Sequence, residues 1–330
     1  MKCLITGGAG FIGSHLARAL LHQSHDVWVL DDFSTGKRDN VASLPVELLE
    51  GDVRDPGCVW RAVEGMDHVF HLAALASVGR SLRDPLATHA VNETGTLNVL
   101  DASRRAGVKR VVYAASSSAY GNLATLPKCE DAKPAPASPY AVSKLTGEHY
   151  CRVYWEAFGL ETACVRYFNV FGPRQDPKSE YAAVIPRFID AGLKGLAPVI
   201  YGDGTQSRDF TYVANAVDAT IAAATAPRAA GEVINVACGE RRSLLDLVEA
   251  LEDFLGEQLK PHFEPSRTGD VKHSQADIGK ARELLGYAPR VGFKEGLKET
   301  VDWYRKWFAL ERFQERTAHV EKNRDLAAHP

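Results

Sequence analysis

No CxxC or CxxH pair occurs among the six cysteines, Cys3, Cys58, Cys129, Cys151, Cys164 and Cys238. Scattered in this way they offer neither a disulfide framework nor a zinc site, and they are expected to be free, mostly buried thiols in a reducing compartment. Also missing is any apolar run near the ~18 residues of a membrane span. Met1-Lys2 lead straight into a short apolar strand, without the h-region or cleavage site of a signal peptide, so a soluble, cytoplasmic protein is expected. There is no basic surplus either. The net charge of -3 argues against a general nucleic-acid binder and leaves any phosphate recognition to local groups. The histidines, notably His71, His89 and His273, do not pair at metal-ligand spacing, so they read as structural and no metal is expected. No internal repeat is visible.

What remains is an ordinary globular composition, 330 residues with 45% hydrophobic and 25% charged content, long enough for one large or two coupled domains. Short apolar runs at Cys3–Thr6, Val27–Leu30, Val46–Leu49, His68–Leu72 and Val111–Ala114 alternate with helical patterns. That alternation predicts an α/β fold, a Rossmann-type doubly wound parallel sheet. Pro85–Ala106 and Tyr140–Phe158 carry apolar residues at helical spacing, the second introduced by Ser138-Pro139 as a helix start. The pattern changes after Arg166-Tyr167-Phe168-Asn169. Residues 1–168 are therefore read as the nucleotide-binding domain and 169–308 as a smaller α/β substrate-binding lobe, with some chain crossing back. The crevice between them, at the carboxyl ends of the strands, is the expected ligand site. Residues 309–330 are charged, lack an apolar stripe, and are read as a mobile or marginally helical tail.

Gly7-Gly8-Ala9-Gly10-Phe11-Ile12-Gly13 follows the first strand and opens a helix whose amides can receive a pyrophosphate. The second strand ends in Asp31-Asp32, where a carboxylate accepts ribose hydroxyls and repels a 2'-phosphate, which favours NAD over NADP. Gly51-Asp52-Val53 ends the third strand, with Asp52 and an adjacent amide placed for the adenine edge. Leu72-Ala73-Ala74 ends the fourth with small residues that let a backbone approach the cofactor closely. Phe11, Ile12, Val53 and Tyr167 complete the expected cofactor surface, together with Tyr140 and Lys144.

Chemistry is concentrated in Ser116-Ser117-Ser118-Ala119-Tyr120-Gly121 and Ser138-Pro139-Tyr140-Ala141-Val142-Ser143-Lys144. Tyr140 and Lys144 are four apart and share a helix face. A free phenol titrates near about 10, so a proton acceptor near neutrality needs its pKa lowered by roughly three, about 4 kcal/mol. The Lys144 ammonium is expected to supply much of that and an oxidised nicotinamide more.

In combination these motifs, with Ser207-Arg208-Asp209-Phe210 and Gly269-Asp270-Val271, resemble the extended short-chain dehydrogenase/reductase family, and within it the NAD-dependent nucleotide-sugar 4-epimerases. The resemblance covers roughly residues 1–308. It implies that Tyr140 removes the 4-hydroxyl proton, that Lys144 holds the nicotinamide ribose, and that Ser116 hydrogen-bonds the sugar O4 and relays its proton. Hydride then passes to NAD, and the 4-keto sugar swings about its diphosphate and takes it back on the other face. Related dehydratases carry an Asp-Glu pair, and decarboxylases a Glu, near the triple serine. Here Ser117 and Ser118 supply only hydroxyls, which leaves epimerisation.

On the substrate side the resemblance places Arg208 and Arg267 on the phosphates, Asp270 on the ribose, Asn169 near the first phosphate, and Ala183 and Val184 beside the nucleotide-sugar. Ser274 stands where glucose-restricted epimerases have a large Tyr and where those accepting N-acetylated sugars have a small residue. Interconversion of UDP-GlcNAc and UDP-GalNAc is the expectation. The alternatives are a UDP-glucose or UDP-glucuronate 4-epimerase and, from another class, an NAD-sensing regulatory protein with no need of the proton-transfer set. A homodimer pairing Pro85–Ala106 and Tyr140–Phe158 in a four-helix interface is implied by the same resemblance.

Overall fold

The computed structural model describes residues 1–177, 183–266 and 271–328, with 311–328 described by their backbone alone. In chain order the strands are β1 (Lys2–Thr6), β2 (Asp26–Asp31), β3 (Glu47–Glu50), β4 (His68–His71), β5 (Arg110–Ser116), β6 (Glu161–Tyr167), β7 (Val170–Phe171), β8 (Val199–Tyr201), β9 (Ser207–Arg208), β10 (Thr211–Tyr212), β11 (Val233–Val236), β12 (Arg242–Ser243) and β13 (His262–Glu264). The helices are α1 (Phe11–His22), α2 (Pro56–Val63), α3 (Val78–Arg83), α4 (Pro85–His89), α5 (Gly95–Ala106), α6 (Pro139–Phe158), α7 (Val184–Leu193), α8 (Val213–Thr225), α9 (Leu244–Leu255), α10 (Gly279–Leu285) and α11 (Phe293–Ala328).

Seven strands form one parallel sheet in the order β11-β6-β5-β4-β1-β2-β3, which is doubly wound about β1 and β4. β1, β4 and β5 are buried almost without a break because a parallel strand is covered on both faces. One face packs on α1 and α8 through Leu16, Leu20, Val217 and Ala223. The other packs on α2, α5 and α6 through Val59, Val99, Leu100 and Cys151. All five expected strands are present within a residue or two. β6 was not foreseen, and β11, between α8 and α9, crosses back into the main sheet, so the chain beyond residue 169 contributes to both parts.

Two expectations for helices need amending. Pro85–Ala106 is interrupted: residues 90–94 form one π-helical turn between α4 and α5. Asn92 is buried there, its side chain accepting from Leu75 N (2.8 Å) and donating to Ser143 Oγ (3.0 Å), and these contacts hold the widened turn. The charged tail is also helical, since α11 continues through Ala328. Its first half is anchored by buried Leu297, Val301 and Tyr304, and propagation from a formed helix through good helix formers needs no further apolar stripe.

The rest of the second lobe consists of three two-stranded pairs, β7 with β10, β9 with β12 and β8 with β13, packed with α7 and α9 at the carboxyl ends of β6 and β11.

Candidate active site

The turn after β1 is built for close approach. Gly7 has φ +70°, and a Cβ there would lie 2.7 Å from Ala73 N; at Gly13 it would lie 2.3 Å from Gly7 O. Substitution at either position therefore requires the loop to move. α1 starts at the uncapped Gly10 with no acidic residue in its first turn, so its amide end is available to an anion. A cleft of about 320 Å³ extends from this turn across the carboxyl ends of the strands. Gly7, Gly10, Phe11, Ile12, Gly13, Asp31, Asp32, Val53, Leu72, Ala73, Ala74, Tyr140, Lys144 and Tyr167 all line it.

Asp31 is buried at the end of β2. Its carboxylate accepts Ala9 N and Phe33 N at 2.9 Å each; burial pushes its pKa up, and these two bonds oppose the rise. Each oxygen keeps a lone pair for a ribose hydroxyl. Asp32 is exposed and holds Ser34 through N (2.9 Å) and Oγ (2.6 Å). Asp52 is not itself among the residues that line the cleft. Its carboxylate is taken by the Arg54 guanidinium and amide, and the cleft is lined beside it by Gly51 and Val53. Sequence reasoning missed Ser34, Thr35, Leu75, Val91, Ala114 and Ala115, which also line the cleft. A signal for Ser34 existed, because an Asp followed two residues later by Ser is a common turn pattern.

Tyr140 and Lys144 sit in the first turns of α6, which is capped by Ser138 accepting Ala141 N (3.1 Å) with Pro139 at its first position. Ser116 ends β5 directly opposite Tyr167 of β6. Its Oγ accepts Ser118 N (3.2 Å), leaving its own proton free to donate. Burial raises the Tyr140 phenol above its ordinary value, and the Ser116 hydroxyl opposes that rise. Lys144 follows one turn along α6 from Tyr140. Its buried Nζ donates to Ala114 O at 2.8 Å and lies 4.9 Å from the Tyr113 ring centroid, and burial pushes it down to about 8. It is therefore charged at neutral pH. Ser117 and Ser118 lie half-buried on the 3-10 turn that follows Ser116.

His71 behaves as a structural residue. Its Nδ1 meets Thr6 Oγ1 at 2.7 Å and its Nε2 meets Thr96 Oγ1 at 2.9 Å, joining β1, β4 and α5.

A second cleft of about 290 Å³ opens two residues beyond Tyr167. It is lined by the expected Asn169, Ala183, Val184 and Arg208. It also contains Arg187, Tyr201, Gln206 and Phe210, which sequence reasoning missed; Arg187 lies one turn along α7 from Ala183, and Phe210 closes the motif already singled out. Arg208 Nη1 donates to Ser207 O (3.0 Å) and Lys272 O (3.2 Å). Ser274 is buried, its amide donating to Ser207 O at 3.0 Å. Arg267 and Asp270 lie outside the described residues.

A cleft of this extent lined by a phenol and an ammonium, with a second cleft carrying two arginines, suits oxidation and reduction of a phosphate-anchored alcohol. The profile of the NAD dependent epimerase/dehydratase family matches residues 3–237. A UDP-glucose 4-epimerase of Mycolicibacterium smegmatis is 40% identical over 311 residues, 92% of this chain and 99% of the relative. The crystal structure of UDP-glucose 4-epimerase with UDP-glucose from Thermotoga maritima superposes with a TM-score of 0.90 at 36% identity, covering 93% of this chain and 100% of that one. UDP-N-acetylglucosamine 4-epimerase from Methanobrevibacter ruminantium, in complex with UDP-N-acetylmuramic acid, gives 0.89 at 39% identity, covering 93% and 98%. The chain belongs to the NAD dependent epimerase/dehydratase family.

Proposed function

We propose that the protein interconverts UDP-N-acetylglucosamine and UDP-N-acetylgalactosamine by inverting C4. The broader activity is NAD-dependent UDP-sugar 4-epimerisation, which rests on the family, on relatives of that name spanning nearly the whole chain, and on a cleft that fits a dinucleotide. The chemistry NAD supplies when bound is reversible acceptance of a hydride from the sugar C4.

The chain's own groups do the rest. The α1 amide end and Asp31 hold the pyrophosphate and a ribose. Ser116 donates its free proton toward O4 or Tyr140, and Tyr140 takes the 4-hydroxyl proton and later returns it. Lys144, charged and fixed on Ala114 O, holds ribose hydroxyls and favours a phenolate when the nicotinamide is oxidised. Arg208 and Arg187 suit the diphosphate, because a planar guanidinium meets phosphate oxygens in pairs. Anchoring through the phosphates leaves the sugar free to turn over between the two hydride transfers.

The choice of sugar rests on Ser274. Ser274 is a small side chain on a backbone tied to Ser207, next to Arg208, and in this reading it spares the room for an acetamido group that a Tyr would take. The test is Ser274→Tyr with both substrate pairs. Its kcat/KM for UDP-GlcNAc relative to UDP-glucose should fall at least about tenfold. An unchanged ratio, or wild-type turnover confined to UDP-glucose, would overturn this reading.

A homodimer and a cytoplasmic location belong to the same proposal. The dimer is supported by Val78, Leu82, Leu86 and Val142, exposed on adjoining α3, α4 and α6, and the location by six unpaired cysteines.

A further inference from the structure

We propose that Asp209 is a positioning residue that fixes the diphosphate-binding Arg208 and the sugar-facing Ser274 as one unit, a role that rests on the nucleotide-sugar reading above. Asp209 is 0% exposed, and its counter-charge is a set of backbone amides. Oδ1 accepts Cys238 N at 2.9 Å, while Oδ2 accepts Gly239 N at 3.0 Å and Ala276 N at 3.2 Å. A buried carboxylate is costly unless its lone pairs are filled in this way. Burial pushes its pKa up to about 6 and the three amides oppose that rise, so it is ionised at neutral pH and accepts at both oxygens.

The amides come from two separate segments, the turn after β11 and the stretch 272–277, which the Asp209 carboxylate joins. The second segment carries Ser274. It is joined to the first by Gln275 Nε2, which donates to Gly239 O at 2.9 Å. It is joined to the β9 strand that leads into Asp209 by Ser207 N to Lys272 O and Ser274 N to Ser207 O, both 3.0 Å. Arg208 also reaches Lys272 O, and Asn169 Nδ2 donates to the Asp209 carbonyl at 3.1 Å. Asn169, Arg208 and Ser274 thus belong to one web with the Asp209 carboxylate at its centre. An apolar residue would fill the same volume without holding any of the three amides, which is why the position calls for an acid.

The experiment compares wild type with Asp209→Asn, which keeps the shape but turns an N–H donor toward an N–H donor. UDP affinity by calorimetry reads Arg208 without the sugar, and steady-state kinetics with UDP-GlcNAc read both. UDP affinity should fall and KM rise at least about tenfold, with kcat within about threefold and NAD content unchanged. Because Asp209 acts on UDP through Arg208, adding Asp209→Asn to Arg208→Ala should cost little beyond Arg208→Ala alone.

Unaltered UDP affinity and KM with only a lower melting temperature would show a merely structural role and overturn the inference, as would additive losses in the double variant. If Asp209→Asn fails to fold, Ala276→Pro removes one of the two amides that Oδ2 accepts; a tenfold loss of UDP affinity there supports the inference, and unaltered affinity overturns it. Wild-type protein that binds no UDP would overturn both this inference and the nucleotide-sugar reading. Wild-type binding left intact by the substitutions would overturn the inference alone.

Discussion

Tyr140 is held between two opposing influences: burial, which raises its phenol, and the Ser116 hydroxyl, which lowers it. Lys144 directs its ammonium to Ala114 O one turn along α6, and in the proposed reaction its charge and that of an oxidised nicotinamide would both favour the phenolate. At the same scale, His71 makes a prediction about pH. Burial pushes its imidazole down to about 3, whereas in an unfolded chain it titrates near about 6.5. The unfolded chain therefore binds the proton first, and the contribution of His71 to stability is complete above the unfolded value and is lost as pH falls toward 3. Between those limits it adds up to ~1.4 kcal/mol per pH unit to the slope of stability against pH. Chemical denaturation from pH 7 to 4 should show a steep decline that His71→Gln flattens; equal slopes would contradict it. The glycine spacing and the Tyr140/Lys144 spacing were legible because each is a local pattern. The pairing of Asp52 with Arg54 was not legible, because a side chain's choice of partner is not written in a motif.

At the scale of elements, strands were legible where apolar runs stood between turn residues. β6 was obscured because Arg166-Tyr167-Phe168-Asn169 reads as a motif, although Arg166 is buried by a bidentate pairing with Glu148 of α6. The π turn at 90–94 was not legible, since the sequence spacing there is helical and the distortion comes from partners on the loop after β4 and on α6. Asn92 ties these together, and Leu75, which it holds, lines the cofactor cleft. Asn92→Ala leaves the Leu75 amide buried without an acceptor. It should cost ~1–3 kcal/mol in urea denaturation and lower the amount of NAD co-purifying with the protein. A loss of stability with full NAD content would uncouple the turn from the cofactor site.

For the whole molecule, the sheet carries the first cleft and the second lobe the arginine-lined one proposed for the diphosphate, while segments such as β11 that return to the sheet join the two. Among the described residues no helix is long and apolar enough to cross a membrane. The apolar face of α3, α4 and α6 belongs to this scale: Leu86→Glu with Val142→Glu should convert a dimer to a monomer in light scattering, and an unchanged mass would place the interface elsewhere. The central claim is that one bound cofactor serves repeated inversion at C4. It is tested most directly by incubating purified protein, with no cofactor added, with UDP-GlcNAc and resolving the 4-epimers by chromatography, alongside Tyr140→Phe. Steady formation of UDP-GalNAc, reduced ~10²–10⁴-fold by the substitution, is the result predicted. No epimer from any UDP-sugar with NAD present, or full activity in Tyr140→Phe, would contradict it.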